Sequence, residues 1–399
     1  MKNLKRHCLL TVLLLWLPLM LQAGEPEAYK ETPKWLRPLM AVKNFIDSGA
    51  VRGIDQRYIS APKLPWQVIT KWNVNQSALK MKTAGNIELP NPITGETFSF
   101  DYNAKPYLKT EPSQYVGLWV GYRGYGAGYS VNVAGDKGSY LTFGALGGAY
   151  AVSVRIHTFE NDNPNFDLSS GLIPEENAEA WQETKLNSPI KVRSVIANGL
   201  YLFNGKHFSY AAAYDQSVIQ KRSAGSFMVG ADYYYGHINY ADRTNADLIY
   251  LMKGLGRVKL WQGSIGAGYA YNWVPFDGML VSVMGMPMLT FVNRLRAYGY
   301  QTNIEEMMKE DWFFADDETI SDEDWDRQYL ENAEIKEAGS QLYSSGIAVN
   351  FDVRLSLTYN FDRYFLNACG QFYNFQYRHD DSRGYLNDWY INASVGVRL

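Results

Sequence analysis

The chain is predicted to be all-β: a transmembrane, antiparallel up-and-down β-barrel of about twelve strands, within a range of ten to fourteen. Three observations predict it. Long segments of the C-terminal half alternate between apolar residues and polar or small ones. No run of 18 or more apolar residues follows residue 23, so no apolar helix is available to cross a bilayer. The N-terminus reads as an export leader.

In that leader, Lys2, Lys5 and Arg6 precede an apolar run from Cys8 to Leu21, broken by Pro18, and Leu21-Gln22-Ala23 suits a cleavage site. Residues 1–23 are therefore expected to be a signal peptide. Cys8 leaves with it, and Cys369 becomes the only thiol of the exported chain. Without a disulfide framework, stability must come from burial or from closed backbone pairing. Residues 24–95, rich in Pro, Lys and polar side chains, are expected to form an N-terminal periplasmic arm or plug segment. The barrel is expected to occupy 96–399.

The C-terminal strand carries the alternation most clearly. Trp389, Ile391, Ala393, Val395, Val397 and Leu399 hold the odd positions, and Tyr390, Asn392, Ser394, Gly396 and Arg398 the even ones. Such a period of two gives one lipid-compatible face and one polar face. Ile347 to Phe361 repeats it over a reach of about 50 Å, longer than a strand of a soluble sandwich. Similar alternation runs through 125–133, 226–235 and 261–273, with glycine and small residues on one face as a narrow lumen requires. The run Leu366 to Arg378 breaks phase, which predicts a bulge or a strand leaving the membrane. Tight turns are expected at 204–206, 275–278 and 360–363, and long connections at about 159–191 and 294–343. Between 159 and 216 the alternation of short turns with long loops fails.

Residues 302–338 carry fourteen Asp/Glu against three Lys/Arg, a net charge of −11. The whole chain is −3. This stretch is expected to be a solvated, extracellular loop. Its clustered carboxylates make Asp322, Asp324 and Asp326 candidate metal ligands, but the calcium-loop pattern fails where Arg327 stands at the turn-glycine position.

Chemistry-bearing motifs are otherwise scarce. There is no nucleophile elbow, phosphate loop or ligand-spaced histidine pair, so no cofactor and no nucleic-acid partner is implied. His157 shares a strand face with Ser153 and Arg155, which makes it the one catalytic candidate, with a polar lumen neighbour as the competing role. The lumen-facing charged residues are expected to be Arg155, Asp215, Asp232, Asp352, Arg354 and Arg398. In an open pore such charges set selectivity; in a closed barrel they pair across a filled interior, the reading favoured at about twelve strands.

Several stretches resemble an uncharacterised Bacteroidota family of outer-membrane barrels, known only as domain-of-unknown-function family 4421. They are Asp55-Gln56-Arg57-Tyr58-Ile59, Tyr201-Leu202-Phe203-Asn204, Phe208-Ser209-Tyr210, Gln220 through Ser226, and Tyr269-Ala270-Tyr271-Asn272-Trp273. The resemblance implies an outer-membrane barrel and brings no reaction or ligand.

These readings predict a Gram-negative outer-membrane protein without enzymatic activity: a narrow pore, a surface-binding protein or a structural envelope protein. Outer-membrane lipid and lipopolysaccharide, the barrel-assembly machinery and an unspecified solute or surface ligand are its expected partners. A membrane-embedded enzyme acting on lipid or lipopolysaccharide, and a soluble periplasmic all-β binding protein, are the alternatives.

Overall fold

The computed structural model describes residues 53–90, 97–104, 107–109, 112–135, 137–161, 186–310, 312–313, 320–379 and 382–399. The expected signal peptide, 1–23, and the stretch 24–52 lie outside them. A short strand β1 (Ile59–Ser60) precedes β2 (Trp66–Pro90), β3 (Thr97–Ala104), β4 (Tyr107–Lys109), β5 (Ser113–Tyr122), β6 (Tyr125–Ala134), β7 (Lys137–Leu146), β8 (Tyr150–Asn161) and β9 (Ile190–Leu202). After them come β10 (Ile219–Gln220), β11 (Ala224–Asn239), β12 (Leu255–Trp273) and β13 (Met279–Thr302). The chain ends with β14 (Ile335–Ser344), β15 (Ala348–Phe361), β16 (Tyr364–His379) and β17 (Ser382–Arg398).

Twelve of these strands close a ring. The order is β2, β5, β6, β7, β8, β9, β11, β12, β13, β15, β16 and β17, and β17 then pairs with β2 from Arg398↔Gln67 up to Arg383↔Lys82. Every neighbouring pair is antiparallel. Closure removes the unpaired edges that an open sheet leaves. The strand count agrees with the expectation, but the boundary at residue 96 does not. The ring begins at Trp66, because Gln67, Ile69, Asn73 and Asn75 face the lumen while Thr70 and Trp72 face out.

The alternation sorts the side chains as predicted. On β15, Asp352, Arg354, Ser356 and Thr358 are buried, while Phe351, Val353, Leu355 and Leu357 stand outside. Lumen glycines make room for larger neighbours: a Cβ on Gly268 would lie 2.8 Å from Met286, and one on Gly396 would lie 2.1 Å from the Phe365 ring. The expected phase break in β16 is not a break. Its pairing with β15 and β17 runs without a register shift, and Tyr373 is simply an inward tyrosine, 3% exposed. A bulge lies instead in β13, where Gly263 and Ser264 of β12 pair with Val292 and Thr290 and Phe291 is left outside.

The two rims differ. At the rim that holds Leu399, the links at 123–124, 147–149, 274–278 and 362–363 are short. The remaining link at that rim, 203–223, turns inward and contains α1 (Tyr210–Tyr214). The expected tight turn at 204–206 is thus the start of a longer inward segment, and that is why the turn pattern failed there. At the distal rim lie α2 (Ala246–Leu251), α3 (Ile304–Met307), α4 (Asp322–Asn332) and β14, which pairs with the upper part of β13. The connection expected over 294–343 is therefore shorter: strand continues to Thr302 and resumes at Ile335.

Candidate functional site

The segment 203–223 packs inside the lower end of the lumen. Asn204 starts the inward turn by accepting from His207 N and Phe208 N on its carbonyl, while its side chain donates to Gly225 O. Ser209 caps α1 by accepting from Ala212 N at 3.1 Å. The sequence Tyr-Ala-Ala-Ala-Tyr is narrow enough to enter a barrel, and Ala211, Ala212 and Ala213 are buried. One side of the segment packs on Leu200, Met228, Ala270, Leu280, Met284 and Met286 of β9 to β13.

The other side is polar. The last carbonyls of a helix have no partner within it. Here Ala213 O accepts from Ser356 Oγ at 2.6 Å and Asn367 Nδ2 at 3.1 Å, Asp215 O from Gln67 Nε2 at 2.9 Å, and Gln216 O from Arg398 Nη2 at 2.8 Å. Gln220 knots the return path: its Oε1 accepts from Ser209 N and Asn272 Nδ2, and its Nε2 donates to His207 O and Arg222 O.

A strip before β2 latches this plug. Asp55 N donates to Lys206 O and Lys221 N to Tyr58 O, β1 pairs with β10, and Ile59 is buried against the plug. The Tyr58 ring lies 4.5 Å from that of His207, and Asp55 pairs with Arg57 at 2.7 Å. Hydrogen bonds from Arg57 hold the Asp55 carboxyl well below the ordinary carboxylate range. The family-like stretches Asp55–Ile59, Phe208–Tyr210 and Gln220–Ser226 thus meet at one place, with Asn272 of the fifth.

Above the plug, Arg354 donates to Asp352 through Nε and Nη2, to Tyr210 Oη through Nη1, and to Tyr373 Oη at 3.0 Å. Tyr373 passes the chain to Asn198 Oδ1, and Asn198 Nδ2 donates to Asp232 Oδ1 at 2.7 Å. Higher still, Arg155 pairs with Asp388 at 3.2 Å and lies 4.8 Å over the Tyr390 ring. The expected lumen charges therefore sort into three groups: Asp352, Arg354 and Asp232 in one network, Arg155 in a second, and Asp215 with Arg398 at the plug. Asp215 is on no strand; it follows α1 and is buried with it.

His157 is buried among rings. It stacks on Tyr140 at 4.0 Å and on Phe159 at 4.6 Å, and its Nε2 is 3.0 Å from Tyr115 Oη. Ser153 Oγ bonds instead to Asn198 Oδ1 at 3.3 Å. The geometry joins His157 to a tyrosine and brings neither Ser153 nor a carboxylate to it.

The acidic stretch folds more than a solvated loop would. Ile304, Met307, Trp312, Phe313, Trp325 and Tyr329 cluster against α2, and the Trp325 and Tyr329 rings stack at 5.3 Å. Asp324 is occupied by Ser321 Oγ and Arg327, which hold its carboxyl below the usual range, and Asp326 is exposed. Among the described residues no group of three acids, histidines or cysteines is placed to hold a metal ion.

Sequence reasoning missed Gln67, Tyr210, Gln220, Asn367, Tyr373 and Asp388. Asp388 shares even parity with Asn392 and Arg398 and was readable from β17. Gln67, Tyr210, Asn367 and Tyr373 depend on partners far along the chain, such as Gln67 on Asp215.

A closed ring of twelve antiparallel strands with an apolar outer wall and a hydrogen-bonded lumen is a β-barrel of the membrane class. Within that class the chain belongs to the domain-of-unknown-function family DUF4421, whose pattern matches residues 76–398. No curated protein matches it. Among solved structures it is similar to the β-domain of the Bordetella autotransporter BrkA, at 9% identity and TM-score 0.31, over 84% of this chain and 100% of that one. It is also similar to the Pseudomonas putida toluene transporter TodX, at 8% identity and TM-score 0.23, over 85% and 91% of the two chains. The Escherichia coli outer membrane protease OmpT is a third, at 7% identity and TM-score 0.29, over 84% and 97%. None of the three lends this chain a substrate.

Proposed function

We propose that this is an exported Gram-negative outer-membrane barrel that serves as a non-conducting binding or structural envelope protein, with its short-turn rim in the periplasm and its distal rim outside. The observation that carries this reading is the plug, 203–223, tied by side-chain hydrogen bonds to β2, β12, β15, β16 and β17. An open pore needs a water-filled lumen; here the plug takes hydrogen bonds from five strands, and Asp352, Arg354, Tyr373, Asn198 and Asp232 bond to one another beside it. The apolar outer wall argues against a soluble periplasmic binder, since water-facing strands would be polar there. Aromatics at the short-turn rim, among them Phe203, Phe227, Trp273 and Phe276, suit an interfacial girdle. In this setting the wall contacts outer-membrane lipid and lipopolysaccharide, and the barrel-assembly machinery inserts the chain. The folded distal face is the surface left for a ligand.

Two measurements on the full chain test it. Unheated and boiled samples of the outer-membrane fraction should differ in gel mobility, as a closed barrel does. In planar bilayers the protein should be silent, while a variant with 205–222 replaced by a short Gly-Ser linker should conduct ions. A steady open conductance from the unaltered protein would overturn the non-conducting reading.

A further inference from the structure

The outer wall changes character along its height. On β12 the outward residues toward the short-turn rim are Ile265, Tyr269, Tyr271 and Trp273; beyond Trp261 they become Lys259 and Arg257. Register brings more cations beside these two. Lys259 lies between His237 on β11 and Arg296 on β13, and Trp261 lies between Tyr235 and Arg294. His237 in turn pairs with Arg193 on β9, where Lys191 holds the next outward position. Six cations, Lys191, Arg193, Arg257, Lys259, Arg294 and Arg296, therefore share one outer face of four adjacent strands. Two acids oppose them: Glu160 beside Lys191, and Glu337, which pairs with Arg257 at 3.2 Å.

The height of this belt follows from strand geometry. Trp273 and Trp261 are twelve residues apart on β12. At about 3.3 Å per residue and a tilt of about 40°, that separation spans about 30 Å along the barrel axis, the thickness of a hydrocarbon core. Lys259 and Arg257 come directly beyond, at the level of lipid headgroups. Rings hold several of the cations in place: Arg257 lies 3.8 Å and Lys259 5.2 Å over Tyr298, and Arg296 lies 6.0 Å over Trp261. Like charges fixed this close repel one another unless an anion sits among them.

We infer that this belt docks a phosphorylated, anionic lipid of the leaflet it faces, with acyl chains on the apolar wall below Trp261 and phosphates among Arg193, Lys259, Arg294 and Arg296. The inference rests on the reading that the outer wall lies in a bilayer.

The test titrates purified full-length protein in zwitterionic detergent with lipid A carrying two phosphates and with its dephosphorylated form, and counts bound lipid by native mass spectrometry. Saturable binding of the phosphorylated form alone is expected. Each cation near a charged surface is worth about fivefold, so K259Q/R296Q should weaken binding roughly twenty-five-fold while the boiled and unboiled bands still differ. If that variant fails to fold, Arg193→Gln with Arg294→Gln supplies the same loss of charge. Equal retention of both lipids, or binding that either folded variant leaves unchanged, would overturn the lipid site and leave the barrel standing. Full competition by millimolar inorganic phosphate would make this a free-anion site and overturn the lipid assignment. Protein that neither floats with phosphatidylcholine vesicles nor shifts on boiling would overturn the bilayer reading, and the lipid site with it.

Discussion

Arg354 of β15 donates to the hydroxyl of Tyr210 on the plug helix while its Nε and Nη2 clasp Asp352, two residues away on the same lumen face. One guanidinium thus joins wall to plug, and its charge is balanced before it arrives there. Both members of the pair are almost fully buried, at 5% and 0% side-chain exposure. A buried pair gains little net stability, but breaking it leaves a charge uncompensated.

Arg354→Met should therefore destabilise the folded barrel by about 3–5 kcal/mol, and adding Asp352→Asn should recover most of that loss. Tyr210→Phe removes one charge-assisted bond and should cost about 1.5–3 kcal/mol. Urea unfolding of vesicle-inserted protein measures all three. Arg354→Met as stable as the unaltered chain would mean that this clasp does not hold the plug.

Leu355 and Ser356 are neighbours on β15 that face opposite ways. Leu355 is outside and 54% exposed, and Ser356 bonds to Ala213 O of the plug. In a bilayer Leu355→Arg should cost about 2–4 kcal/mol, whereas on a water-facing wall it would be worth about ±0.5 kcal/mol. Ser356→Ala should cost about 0.5–1.5 kcal/mol in either setting. Folding yield into vesicles separates the cases, since only a bilayer makes the outward arginine the worse change.

The sequence made the barrel legible wherever the two faces differ in chemistry. β15 and β17 alternate apolar with polar residues, so their parity could be read directly. β2 could not be read that way, because Ile69 faces inward and packs with Trp119 and Phe365 inside the lumen. Tyr373 misled for the same reason: a filled lumen accepts aromatics, and period alone does not separate them from wall residues. The plug was hidden by distance. Asn204-Gly205-Lys206 reads locally as a turn, and only Gln67, Asn367 and Arg398, each more than 130 positions away, show that the chain goes inward.

The latch should respond to acid in a definite direction. Hydrogen bonds from Arg57 hold the Asp55 carboxyl well below the ordinary carboxylate range, so the charged form is favoured in the folded state. A depressed carboxyl contributes its stability above the unfolded pKa and loses it as pH falls through the folded one. The latch should thus be unchanged between pH 7 and about pH 5 and weaken only in stronger acid, below about pH 4. Limited acid-protease cleavage within 53–65 reads this out. Asp55→Asn should raise cleavage at all these pH values and flatten its dependence; unchanged cleavage would mean that Asp55 does not hold the strip.

The distal cap offers a test of how stability is partitioned. Tyr329 Oη donates to Asp247 Oδ1 and accepts from Asp247 N, both at 3.0 Å, and its ring stacks on Trp325. These contacts link α4 to α2 and leave the lumen network untouched. Trp325 is half-buried, so Trp325→Ala should cost on the order of 2 kcal/mol, below the 3–5 typical of a fully buried tryptophan. That loss should appear as local opening of the cap, because stability is not uniform across a fold. Trypsin should then cut at Lys309 and Arg327 much faster while the unboiled band keeps its barrel mobility. If the barrel band is lost together with the cap, the two form one cooperative unit, and the wall of β13 depends on the cap above it.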